Sequence, residues 1–167
     1  NDEPVPIGII GGSGLYEMDG FSGREERVVT TPFGAPSETI VGGWISGRRV
    51  YFLPRHGRGH AISPTELNYR ANIDALKRAG VTEIVSVSAV GSLKAELPPG
   101  HFVIVDQFID FTRFRKTSFH DHFEPGQPAH TPMADPFSAE LRASLLASAR
   151  EDEPEEARRA WLDAAPL

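Results

Sequence analysis

Three short apolar runs, residues 7–10, 50–53 and 84–87, each run out into a loop crowded with glycine, serine or an arginine–histidine pair. That recurrence constrains the fold more than any bulk property. The first, Ile7-Gly8-Ile9-Ile10, opens into Gly11-Gly12-Ser13-Gly14 and reads as a buried strand entering a tight turn. Residues 50–53 run into Arg55 and His56, and residues 84–87 run into Ser88-Ala89-Val90-Gly91-Ser92. Strand-to-loop crossings of this kind belong at the carboxyl edge of a sheet, where ligand sites of α/β folds gather.

The intervening sequence supports that class. Residues 28–29 and 39–41 flank Thr31-Pro32-Phe33-Gly34-Ala35-Pro36 and read as strands joined by turns. Ser63-Pro64-Thr65-Glu66 has the form of a capping box with proline at the first helical position, which predicts a helix over 64–78 stopped by Gly80. Residues 84–87, apolar but for Ser86, and 102–105, apolar throughout, read as buried strands covered on both faces. The alternation implies α/β architecture. Residues 111–129 carry little periodicity and read as a long loop, and 137–150 returns to helix with Leu141, Leu145, Leu146 and Ala149 on one face.

Composition limits the partners. A chain of 167 residues can hold one domain with a real core. Net charge of -6, with acidic residues gathered after Arg150, argues against a nucleic-acid surface. No apolar run approaches the ~18–20 residues of a membrane span, so the cytoplasm is the expected compartment. Cysteine is absent, which removes thiolate chemistry and cysteine-based zinc sites. The organisation expected is residues 1–150 as one domain and 151–167 as an acidic tail. That tail forms either a short helix beginning near Pro154, with Trp161 and Leu162 docked, or an unpacked extension.

The loop residues themselves point to an anion. Glycines let backbone N–H groups approach oxygen closely, the Ser13 hydroxyl adds a donor, and Arg55 beside His56 adds fork-shaped positive charge. Phosphate is the expected ligand. Each feature alone also has a plain structural reading: a tight turn, a surface Arg–His pair, a βα turn. His120-Asp121-His122 is read against metal binding, since two histidines two positions apart in a loop lack a third ligand.

Taken in order, these segments resemble the nucleoside phosphorylase family that includes 5'-methylthioadenosine phosphorylase and the trimeric purine nucleoside phosphorylases. The resemblance is carried by the Ser13 loop, Pro54-Arg55-His56-Gly57-Arg58-Gly59-His60, Asn68-Tyr69-Arg70-Ala71-Asn72 and Ser88-Ala89-Val90-Gly91-Ser92. It is reinforced by Asp106-Gln107-Phe108-Ile109-Asp110 and His130-Thr131-Pro132-Met133-Ala134-Asp135-Pro136-Phe137. It implies a phosphorylase-like mixed or twisted sheet flanked by helices, with the C-terminal part of the family domain missing. Family members continue into a Glu-Gly-Pro-Arg-Phe motif, a methionine–threonine pair and purine-handling acidic residues, none of which appears here.

The roles that the resemblance implies are specific. Ser13, Arg55, His56 and the Ala89 amide bind phosphate. Ser88, Val90 and Gly91 line the nucleoside site, and His130 closes a 5'-methylthio pocket of a neighbouring subunit. His56 and His60 are the expected catalytic residues, His56 hydrogen-bonding phosphate and His60 nearby in a supporting or proton-handling role. Valine at position 90, where methylthioadenosine members frequently have cysteine, leaves the base preference open. The implied activity is that of a pentosyltransferase, a purine nucleoside phosphorylase of the methylthioadenosine type, with inorganic phosphate as co-substrate and no cofactor or metal. Its partners are a small nucleoside and further copies of itself in a homotrimer or larger assembly, with neither nucleic acid nor membrane. The alternative is a phosphate- or nucleoside-binding domain that is catalytically incomplete.

Overall fold

The computed structural model describes residues 5–12 and 18–151. It divides into two compact units, Asn1–Gly91 with Thr112–Gly126, and Ser92–Phe111 with Gln127–Leu167.

The first unit is built on a mixed five-stranded sheet of order β2-β3-β4-β1-β5. Its strands are β1 (Ile7–Gly11), β2 (Ser22–Arg27), β3 (Ile40–Ile45), β4 (Arg48–Pro54) and β5 (Glu83–Ser86). β2, β3 and β4 form an antiparallel meander, while β1 runs parallel to β4 on one side and to β5 on the other. Helix α1 (Tyr69–Arg78) lies in the crossover from β4 to β5 and turns Ala71, Asn72, Ala75 and Leu76 inward at helical spacing. Of these, Ala75 and Leu76 pack with Ile10, Ile40, Tyr51, Leu53 and Val81 on one sheet face. Gly8 is what lets the helix come close, because a Cβ there would stand 2.9 Å from Val81 Cγ1 and 3.3 Å from Leu76 Cδ1. The opposite face carries Val41, Val50 and Phe52, with Phe21 set edge-on against Phe52 at 5.3 Å. Burying each of Phe52, Leu53 and Leu76, all essentially inaccessible, contributes roughly 1.5–3 kcal/mol.

Three expectations are corrected. The strand placed at 28–29 lies earlier, at β2, whose six residues are all exposed and mostly charged. Helix α1 begins at Tyr69 rather than at Pro64, because Asn68 supplies the cap by accepting from the Ala71 N–H at 3.1 Å. The Ser63–Glu66 pair still forms, with Glu66 accepting from both the Ser63 amide and hydroxyl, but it closes one isolated turn. The strand expected at 102–105 does not form, and Phe102, Val103 and Val105 stand 73, 53 and 49% exposed. An apolar run becomes a buried strand only where a neighbouring strand and a covering layer are supplied, and this run pairs with no described strand.

In the second unit, α2 (Ala139–Glu151) forms where helix is expected. The Ser138 hydroxyl accepts from the Leu141 N–H at 3.2 Å, and Arg142 Nε donates to the Val105 carbonyl at 2.8 Å. The long segment 111–129 is irregular, as its sequence suggests. The tail 152–167 lies outside the described residues. Among those described, no helix is long and apolar enough to cross a membrane.

Candidate functional site

Parallel pairing delivers three strand ends to one edge of the sheet. Gly11 is in register with Pro54, and Ile10 with Ser86, so the loops after β1, β4 and β5 leave side by side. Two backbone bonds extend the ladders into those loops. The Arg55 N–H donates to the Gly11 carbonyl at 2.9 Å, and the Val87 N–H to the Ile10 carbonyl at 2.8 Å.

Arg55 leaves β4 half-buried and turns toward the loop after β5. Its Nη1 donates to the Ser88 hydroxyl, and its Nε donates to His56 Nε2 at 3.2 Å. His56 is tied from the other side, with Nδ1 2.9 Å from the Ile62 carbonyl and its own carbonyl accepting from the Ile62 N–H at 3.0 Å. The chain between them doubles back through buried Gly57, at φ 69°, and a 3-10 turn at Arg58–His60. His60 adopts φ 58°, a left-handed conformation costing a non-glycine residue about 1 kcal/mol. Its ring stacks on His56 with centroids 4.9 Å apart and an 11° tilt.

Residues from a neighbouring loop brace this one. Glu38 accepts from the Arg58 N–H at 3.2 Å and from the Thr39 N–H at 2.9 Å. The Thr39 amide holds the Glu38 carboxyl below its usual range against partial burial, with the Arg58 amide and guanidinium adding to the effect. Asn72, buried at the start of α1, accepts from the Ser37 N–H at 2.7 Å and donates to the Ser37 hydroxyl at 2.9 Å. Asn68 donates to the Phe33 carbonyl at 2.7 Å. The Ser37 carbonyl in turn lies 3.3 Å from where a Cβ on Gly57 would stand.

The segment 68–72, grouped by sequence with the anion loops, is therefore a mooring for residues 33–37. Arg70 lies over the Phe33 ring at 5.1 Å and donates to Asp121 at 2.6 Å. That bond, ahead of burial in the opposite sense, holds the Asp121 carboxyl below its ordinary range. The acidic member of His120-Asp121-His122 is thus engaged by arginine.

Of the sequence-derived site residues, Arg55, His56, His60 and Ser88 come together. Ala89, Val90 and Gly91 follow on the same loop and are exposed, Val90 by 82%. Ser13 lies outside the described residues. His130 belongs to the second unit and is exposed there. Glu38, the Ile62 carbonyl and the bracing contact of Asn72 with Ser37 were missed. Their contacts span long stretches of sequence or use backbone atoms, and no spacing signals them.

The family model described as the Phosphorylase superfamily matches residues 6–160. The chain belongs to this superfamily. This phosphorylase-superfamily chain is 57% identical over 145 residues to the S-methyl-5'-thioadenosine phosphorylase of Geobacter sulfurreducens, covering 87% of itself and 50% of that relative. It is 53% identical over 150 residues to the enzyme of the same name from Saccharolobus solfataricus, covering 90% and 54%. Among solved structures it resembles a methylthioadenosine phosphorylase from an antarctic soil metagenomic library, with a TM-score of 0.81 at 45% identity, covering 92% of itself and 53% of that chain. It also resembles the Schistosoma mansoni methylthioadenosine phosphorylase in complex with adenine, with a TM-score of 0.80 at 44% identity, covering 90% and 55%. The chain spans about half the length of the curated relatives it matches.

Proposed function

We propose that this chain carries the phosphate-binding part of a purine nucleoside phosphorylase of the 5'-methylthioadenosine type. The observation that carries this reading is the meeting of Arg55 and His56 with Ser88 at one sheet edge, in a chain more than half identical to named S-methyl-5'-thioadenosine phosphorylases. In the reaction proposed, a phosphate oxygen bonds to the anomeric carbon while the bond from that carbon to the purine nitrogen breaks. The products are free purine and a (5-methylthio)ribose 1-phosphate.

The transition state places oxocarbenium-like positive charge on the ribose, so bound phosphate is both nucleophile and counter-charge. Ser13, Arg55, His56 and the Ala89 amide orient it, and catalysis comes from positioning and electrostatic preorganisation. Ser88, Val90 and Gly91 face the nucleoside, His60 supports His56, and His130 contacts the 5'-methylthio group across a subunit boundary of a homotrimer. Phosphate is a co-substrate, and the scheme needs no cofactor. A cytoplasmic enzyme of purine and methionine salvage is the setting that fits this chemistry. The purine leaves with a proton or hydrogen bond at N7, which the family resemblance assigns to acidic residues in a stretch unmatched here.

The test is release of adenine or hypoxanthine from methylthioadenosine, adenosine, methylthioinosine and inosine, with and without phosphate, using this chain and Arg55→Ala. Phosphate-dependent release abolished in Arg55→Ala is the expected result. Phosphate binding lost in Arg55→Ala, with no release by the native chain, would replace the phosphorylase by a binding domain that is catalytically incomplete.

A further inference from the structure

Gly57 is the loosest joint in the loop after β4. It stands at φ 69° and ψ 177°, a region open essentially to glycine alone, and without a Cβ the residue itself offers little resistance to rotation of the peptide that follows. The peptides on both sides of it are nonetheless tied. The Gly57 N–H donates to the Pro54 carbonyl at 3.1 Å, and the Arg58 N–H donates to Glu38 Oε2 at 3.2 Å. The other oxygen of that carboxylate, Oε1, accepts from the Thr39 N–H at 2.9 Å, just before β3 begins at Ile40. One carboxylate thus bridges the start of β3 and the peptide that follows the glycine joint. A negative charge beside an anion loop repels the ligand, so this carboxylate needs a gain to set against that cost.

We propose that Glu38 is a positioning residue for the anion site: by fixing the Gly57–Arg58 peptide it holds the Arg55–His56 corner in its phosphate-binding shape. This rests on the phosphate reading above and leaves His56 to orient the anion as described there. Glu38 is itself well anchored. Asn72 binds the adjacent Ser37 through both its amide and its hydroxyl, and the Arg58 guanidinium pairs with Glu26 on β2. The carboxyl is held below its usual range, chiefly by the Thr39 amide, so it accepts as an anion near neutrality, which makes for the stronger kind of hydrogen bond. With the joint locked beforehand, phosphate does not have to order the loop as it binds.

The test uses the full chain. Amide hydrogen exchange followed by NMR, without phosphate, reads the tie itself. The Arg58 N–H should exchange about tenfold faster in Glu38→Ala than in the native chain, a larger acceleration than that of the Leu53 N–H within β4. An Arg58 rate that is unchanged, or raised only as much as that of Leu53, would overturn the proposal.

Calorimetric titration with inorganic phosphate, under conditions in which urea unfolding shows each chain to be folded, reads the consequence. Affinity should fall about tenfold in Glu38→Ala, the cost of ordering the backbone of one residue on binding. Glu38→Gln keeps one acceptor oxygen and should show both effects to a smaller degree. Native affinity in Glu38→Ala would remove the role of Glu38 and leave the phosphate reading standing. Affinity above native in Glu38→Gln would also overturn the proposal, since the carboxylate would then act only as a repelling charge. A native chain that fails to bind phosphate would overturn the phosphate reading and the role of Glu38 with it.

Discussion

His56 and Ile62 are bonded to each other twice, once from the imidazole to the Ile62 carbonyl and once from the Ile62 amide back to the His56 carbonyl. The pair closes a small ring of chain whose contents, Gly57 to Ala61, include both glycines and the left-handed His60. The shape of the Arg55–His56 corner is thus set by its own backbone as well as by the sheet.

Gly57→Ala should test that closure. At φ 69° an L-residue is strained, and its Cβ would lie 3.3 Å from the Ser37 carbonyl. We expect a loss of about 1–3 kcal/mol in urea unfolding, accompanied by weaker phosphate binding in calorimetry.

Asn72→Ala should cost about 1–3 kcal/mol, because it leaves the Ser37 amide without its acceptor beneath the loop. Chemical denaturation measures this directly. Asn72→Asp restores the acceptor but not the donor, and should recover part of the loss.

Gly8→Val should destabilise by overpacking, with a cost of about 1–3 kcal/mol in the same assay. The neighbours it meets, Val81 and Leu76, belong to the core against which α1 rests. A crystal structure of the variant should find α1 displaced from β1.

Glu38 gives a pH signature. Its carboxyl titrates below its ordinary value of 4.5 in the folded chain, so its contribution to stability is complete above that value. The contribution is lost as pH falls through the folded value. The stability difference between native chain and Glu38→Gln should therefore be largest near neutrality and shrink to nothing in acid. Asp121 and Glu66 shift in the same direction, chiefly through the Arg70 and Ser63 side chains. They act equally in both proteins, so the difference isolates Glu38.

Legibility in the sequence followed the physics of each element. β1, β4 and β5 were readable because each carries a short apolar stretch, and the site was readable because Arg55, His56 and Ser88 each follow such a stretch closely. β2 was misplaced because it is an edge strand whose arginines and glutamates face solvent, and the apolar pair at 28–29 drew attention beyond its end. The start of α1 was misread because Ser63 and Glu66 satisfy each other without initiating a helix, whereas Asn68 caps while also reaching Phe33. That second contact is tertiary. So are the braces from Glu38 and Asn72, which depend on loops brought together from 20 and 35 positions apart.

β1 has a consequence in time. Among the described strands it precedes the others in sequence, yet it fills a slot whose two walls, β4 and β5, come later in the chain, pairing Ile7 with both Val50 and Glu83. Any partly folded chain that has only the β2–β3–β4 meander leaves that slot open, and the loops after β4 and β5 then have nothing to hold them at a common edge. Long-range pairing of this kind is slow to form. The Arg55–Ser88 junction is accordingly a late product of folding, and an anion that grips it selects for chains in which the last gap in the sheet has closed.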